Sequence, residues 1–138
     1  MAKAEIKITT KKTEWNYVDS ATAIVNKSID ANQKQIIESW VRDGIIPHIM
    51  LSGSPGTGKT TLAKVLVNEL GIDEYDFLQI NASRDNGVDF IKTKVEGFVQ
   101  TMPFGKFKVV LMDEADYLSH NAQGIMRGLL ETYASQAR

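Results

Sequence analysis

Residues 53–60 read GSPGTGKT, the pattern G-x-x-x-x-G-K-[ST]. The chemistry of that pattern is anion binding. Gly53, Gly56 and Gly58 let the backbone curl so that successive N–H groups face inward, with Ser54, Pro55 and Thr57 completing the turn. A triphosphate is the guest this cradle predicts. Lys59 would reach the β- and γ-phosphates as a point charge, the Thr60 hydroxyl would ligate Mg2+, and Thr61 continues the helix start. A second constellation, KVVLMDEAD at 108–116, delivers two adjacent acids at the end of an apolar run. Asp113 would hold the magnesium ion and Glu114 would orient or deprotonate the water that attacks the γ-phosphate, because phosphoryl transfer is catalysed mainly by positioning and charge. Lys59, Thr60, Asp113 and Glu114 together form a hydrolytic set. Asp116 is read differently, as a helix N-cap or turn residue.

These residues need strands to carry them and helices to cover the strands. HIMLSG, 48–53, is a short apolar run that ends in the glycine-rich turn, and TLAKVLVNELG places Leu62, Val65, Leu66 and Leu70 on one helical face with Gly71 as a C-cap. Upstream, Ile36, Ile37, Trp40 and Val41 recur at helical spacing, and Gly44 with Pro47 supplies a stop, so a helix is expected over about 31–43. Downstream the order repeats: YDFLQIN as a strand, GVDFIKTKVEGFVQT as a helix with Phe90, Ile91, Val95 and Phe98 inward, KFKVVLMD as a strand, and NAQGIMRGLLETYA as a final helix. Alternating strands and helices with short connections predict an α/β fold with a mainly parallel sheet, which binds ligands at the C-terminal ends of its strands. Near the N-terminus AEIKITT alternates like a short strand, and 20–27 reads as loop or weak turn.

The chain has 138 residues, 43% of them apolar and 24% charged, which suits one ordinary globular domain. A formal net charge of −1 provides no global basic field, so contact with nucleic acid would depend on a local patch or on neighbouring subunits. There is no cysteine, hence no disulfide, thiolate zinc site or cysteine nucleophile. No apolar stretch approaches the roughly 20 residues of a membrane span, and a soluble intracellular protein is expected.

The span from DGIIPHIMLSGSPGTGKTTLAKVL through LQINASRDNGVDFIKTKVEGF to VVLMDEADYLSHNAQGIMRGLLETYAS resembles the AAA+ ATPase subunits of sliding-clamp loaders, the replication factor C type of cellular and phage replisomes. IPH before the first strand, NAS after the second, and DEAD-x-L followed by AQ, R and E carry the resemblance. It implies a P-loop NTPase fold that binds ATP with Mg2+, hydrolyses it, and works with other clamp-loader subunits to place a sliding clamp on primer-template DNA. It also implies cytoplasmic location, the host cytoplasm for a phage-encoded chain. Gln123 and Arg127, one helical turn apart, match positions that couple DNA binding to the acidic catalytic residue. Arg84 falls in a segment that approaches DNA phosphates, at a slot where the family often has an acid. A DEAD-box helicase would place its acidic motif much further from the phosphate loop and would need a second motor domain. Two alternatives remain: a nucleotide-binding fragment that does not hydrolyse ATP, and another AAA+ ATPase.

The resemblance fades upstream, where Trp15 and Tyr17 stand without the Arg and Pro that accompany them near the adenine. An N-terminal arm at 1–28 and a partial AAA+ nucleotide-binding domain at 29–138 are therefore expected. The family's next strand would begin just after Arg138, so the sheet is expected to be truncated before its fourth and fifth core strands. Without an arginine finger, worth about 10³ to 10⁵ in rate, hydrolysis by this piece alone should be weak. Unpaired backbone groups on the central strands would cost about 1–3 kcal/mol each if buried. Direct closure of the sheet, insertion of EIKITT from the same or a neighbouring chain, or self-association would each relieve that cost.

Overall fold

A computed structural model of the chain describes the strand Lys3–Lys7 and residues 31–138. Trp15, Tyr17 and the loop expected at 20–27 lie outside the described residues. The chain divides into two compact units, Ala2–Gly71 and Ile72–Arg138.

In the first unit the apolar run before the phosphate loop forms a strand, His48–Ser52, that pairs in parallel with Lys3–Lys7. We number these β2 and β1. The register runs from Lys3 opposite His48 to Lys7 opposite Ser52, so the N-terminal segment gives the phosphate-loop strand a backbone neighbour from the same chain. Two helices complete the unit: α1, Ala31–Asp43, and α2, Lys59–Glu69. Ile37, Leu62 and Leu66 form its buried centre, with Trp40, Val41, Ile49 and Leu51 packed against them. Each fully buried Leu or Ile contributes about 1.5–3 kcal/mol. Ile36 departs from the expected inward face and is exposed, because it lies one position off the stripe made by Ile37, Trp40 and Val41. Gly44 ends α1 at φ 68°, donating its N–H to the Trp40 carbonyl at 2.9 Å, and Gly71 follows α2 at φ 65°.

The second unit holds a parallel pair, β3 (Phe77–Asn81) and β4 (Val109–Asp113), in register from Phe77 with Val109 to Asn81 with Asp113. β3 starts later than the sequence predicts, because Glu74–Asp76 forms a 3-10 turn capped by the Asp73 carboxylate. The buried Asp76 carboxylate then accepts the N–H groups of Phe104 and Gly105, at 2.9 and 2.7 Å, and pins the loop that leads into β4. Between the strands runs α3, residues 88–100, helical from Val88–Phe90 through a π-wound middle, Ile91–Glu96, to Gly97–Gln100. A π turn takes up more residues than an α turn. The inward stripe therefore falls at Ile91, Val95 and Val99, all buried, while Phe90 and Phe98 are half-buried at its flanks. Phe98 was expected inward on α-helical spacing; the wider winding substitutes Val99.

The last helix, α4, is His120–Thr132. Its N-cap is Ser119, whose side chain accepts the Ala122 N–H at 3.2 Å. Asp116 is not the cap; it lies in the exposed 3-10 turn Ala115–Tyr117. Ala122 and Leu129 pack with Ile80, Ile91, Val95, Val99 and Ala137 to make the core of this unit.

The chain's last residues add a short contact to the edge of β4. Lys108 N–H donates to the Gln136 carbonyl (2.8 Å), Arg138 N–H to the Lys108 carbonyl (2.8 Å) and Val110 N–H to the Arg138 carbonyl (2.9 Å). An isolated parallel bridge, Lys108 with Ala137, thus lies on the far edge of β4 and serves the backbone groups of Lys108 and Val110 there. Among the described residues no helix is long and apolar enough to cross a membrane.

Candidate nucleotide site

The phosphate loop belongs to the first unit. β2 ends at Ser52, and the backbone then turns through Gly53 at φ 155°, Gly56 at 74° and Gly58 at 90°. A side chain at the last two positions would be strained, which is the physical reason for glycine there. At Gly56 an added Cβ would meet nothing within 4 Å, so the constraint is the dihedral angle alone. Gly58 is the N-cap of α2, and the first helical bond runs from Leu62 N–H to its carbonyl at 2.9 Å. The positive end of an 11-residue helix therefore opens at the loop. Lys59 turns back over the loop, its ammonium donating to the carbonyls of Gly53 (2.7 Å) and Ser54 (2.9 Å). Ser54, Pro55 and Gly56 are exposed, whereas Thr57 is buried and donates its hydroxyl to the Ser54 carbonyl at 2.8 Å. Thr60 and Thr61 lie half-buried in the first turn of α2.

The acidic strand end belongs to the second unit. Asp113 ends β4 half-buried, its carbonyl accepting Ala82 N–H at 2.9 Å and its Oδ1 accepting Glu114 N–H at 3.1 Å. Glu114 is exposed and has φ 53° and ψ 44°, alone among the described non-glycine residues in having positive φ. Such a conformation costs an L-residue about 1–2 kcal/mol, and strain of this kind concentrates at functional sites. The Thr60 hydroxyl and the Asp113 carboxylate are hard oxygen donors, the type that magnesium takes.

Gln123, Arg127 and Arg84 are all exposed. Gln123 Nε2 donates to the Leu118 carbonyl at 3.0 Å, Leu118 N–H donates to Ala115, and Tyr117 N–H donates to the Glu114 carbonyl at 3.0 Å. Hydrogen bonds thus tie α4 through Gln123 to Leu118 and Ala115, and a separate bond folds Tyr117 back onto Glu114 within the same turn. Arg127 stands one turn further along the same helix. Arg84 sits in a turn organised by Asn81, which accepts Ser83 N–H and Oγ on its side chain and Arg84 N–H on its carbonyl. Ser119 N–H reaches the Asn86 carbonyl at 3.4 Å and ties that turn to the start of α4.

Sequence reasoning missed two organising residues. Asn81 followed by Ser83 carries the signature of an Asx turn, and Ser119 just before a helical run carries that of an N-cap; both were legible. The buried Lys108 ammonium had no such signal. It donates to the Phe98 carbonyl (2.9 Å) and to Thr101 Oγ1, and lies 4.4 Å from the centre of the Phe98 ring.

Residues 49–136 match the family model described as "ATPase family associated with various cellular activities (AAA)", a span that takes in both sequence motifs. The chain is 45% identical over 121 residues to the replication factor C small subunit of Sulfurisphaera tokodaii, covering 81% of this chain and 37% of that protein. It is 42% identical to the same subunit of Saccharolobus solfataricus, with the same coverage. Replication factor C small subunit 2 of Pyrobaculum arsenaticum is 43% identical over 110 residues, covering 76% of this chain and 34% of that protein. The chain thus spans about a third of the length of these relatives. On the family match across both motifs, with a parallel-stranded P-loop fold beneath it, the chain belongs to the AAA family of ATPases.

Proposed function

We propose that this chain is the nucleotide-binding part of a clamp-loader ATPase subunit, acting in the cytoplasm to place a sliding clamp on primer-template DNA. The observation that carries this reading is the similarity to replication factor C small subunits over most of the chain. In it, the loop at 53–58 and the N-terminus of α2 hold the phosphates of ATP through backbone N–H groups. Lys59 leaves its carbonyl partners to pair with phosphate oxygens. Thr60 and Asp113 would each offer an oxygen to Mg2+, which when bound would neutralise charge on the phosphates. Glu114 orients the attacking water and receives its proton, a role supported by its exposed carboxylate on a strained turn. Gln123 and Arg127 sense DNA and act on Glu114 through the turn 115–118, with Arg84 approaching DNA phosphates.

ATP hydrolysis in the presence of the partner subunits, a sliding clamp and primer-template DNA tests the reading. Hydrolysis should rise with clamp and DNA, and Glu114→Gln should remove turnover while keeping ATP bound. Arg127→Ala should remove most of the stimulation and leave the basal rate. Hydrolysis indifferent to clamp and DNA would assign the chain to another AAA activity, and ATP binding without turnover would make it a nucleotide-binding module alone.

A further inference from the structure

Within the phosphate loop the Ser54 carbonyl serves two donors at once, Thr57 Oγ1 at 2.8 Å and Lys59 Nζ at 2.9 Å. The lysine ammonium is further held by the Gly53 carbonyl at 2.7 Å. Thr57 is 6% exposed, in a segment whose preceding residues, 53–56, are all exposed. Its hydroxyl is therefore turned into the loop and committed to a loop carbonyl, not offered to solvent or ligand.

From this arrangement we infer that Thr57 is a positioning residue for nucleotide binding, acting through the Ser54 carbonyl on Lys59. The Lys59 ammonium bonds carbonyls of its own loop, and a phosphate would have to compete with them. When Lys59 moves to a phosphate, the Gly53 and Ser54 carbonyls lose a cationic donor. A carbonyl oxygen left without a donor beside a polyanion is unfavourable twice, through its lost hydrogen bond and through repulsion. The Thr57 hydroxyl keeps the Ser54 carbonyl bonded and turned toward the loop interior, so that the N–H groups and not this oxygen meet the phosphates. It also limits the cost of releasing Lys59, because one of the two carbonyls is already partnered. The chemistry requires a hydroxyl donor of short reach: serine supplies it, and valine, which keeps the shape, does not.

This inference rests on the phosphate-binding reading of the loop, and the experiment separates the two. Binding of ATP·Mg and ADP·Mg to the 138-residue chain is measured by calorimetry for the wild type, Thr57→Val, Thr57→Ser and Lys59→Ala, with thermal unfolding of each nucleotide-free protein recorded alongside. Thr57→Val is expected to weaken both nucleotides by roughly tenfold, the scale of one hydrogen bond lost with its acceptor left behind. Thr57→Ser should stay within about twofold of wild type. A merely structural role would lower the unfolding temperature of the nucleotide-free protein along with affinity, whereas the positioning role lowers affinity and leaves that temperature unchanged. Should Thr57→Val not fold, Thr57→Ala against Thr57→Ser gives the same comparison. If Lys59→Ala loses binding while Thr57→Val binds as the wild type does, the positioning role is overturned and the site stands. If Lys59→Ala binds as well as wild type, the phosphate-binding reading itself is overturned, and the positioning role with it.

Discussion

Replacing Glu114 by glutamine, asparagine or glycine separates the cost of its backbone from the chemistry of its side chain. The residue is exposed, its N–H is bonded to Asp113 Oδ1 and its carbonyl accepts Tyr117 N–H, so all three replacements can keep the turn. At φ 53° and ψ 44° an ordinary L-residue carries about 1–2 kcal/mol of strain. Glutamine keeps that strain and should leave stability within about 0.5 kcal/mol of wild type. Asparagine tolerates the left-handed region and should recover part of it, about 0.5–1 kcal/mol. Glycine removes the strain but adds about 0.5–1 kcal/mol of unfolded-state entropy, for a net gain of up to about 1.5 kcal/mol. For a domain of this size 1 kcal/mol is about 4 °C in Tm. The assay is thermal and urea unfolding of the four nucleotide-free proteins, followed by ATP binding and hydrolysis. All three variants should bind ATP and none should turn it over. Asparagine and glycine variants no more stable than the glutamine variant would refute the strain argument. Turnover surviving in any of them would refute the assignment of Glu114 as the group that activates water.

Two further outcomes follow from the second unit. Lys108→Met keeps the length of the side chain but leaves the Phe98 carbonyl and the Thr101 hydroxyl without their cationic donor. It should destabilise the protein by about 2 kcal/mol in urea unfolding, and a neutral or stabilising effect would show that desolvation of the ammonium cancels its bonds. Gly124 and Gly128 occupy exposed positions inside α4 with open space around an added Cβ, so Gly124→Ala and Gly128→Ala should each stabilise by about 0.5–1 kcal/mol. A loss of stability in either would mean that the face of α4 is not as open as its geometry indicates.

The phosphate loop was legible because its glycine positions, its lysine and its threonine are local requirements of one backbone shape. The same holds for Gly44 and Gly71, each of which takes the left-handed conformation that ends a helix. Features set by distant partners were harder to read. The pairing of Gln136 and Arg138 with β4 depends on Lys108 and Val110, about thirty positions away in sequence, and no local pattern announces it. The π-wound middle of α3 shifts the buried stripe from Phe98 to Val99, a change that α-helical spacing cannot anticipate. Asp116 and Ser119 are both acceptable caps by residue type, and the 3-10 turn at 115–117 decides between them by moving the helix start to His120. The acid pair could be found from its strand, but nothing in the letters of Glu114 marks it as the strained residue.

Equilibrium binding of ATP·Mg to the wild type, Lys59→Ala and Glu114→Gln tests the central claim most directly. The wild type and Glu114→Gln should bind saturably, and Lys59→Ala should bind at least about tenfold more weakly. Binding that is unchanged when Lys59 is removed would contradict that claim.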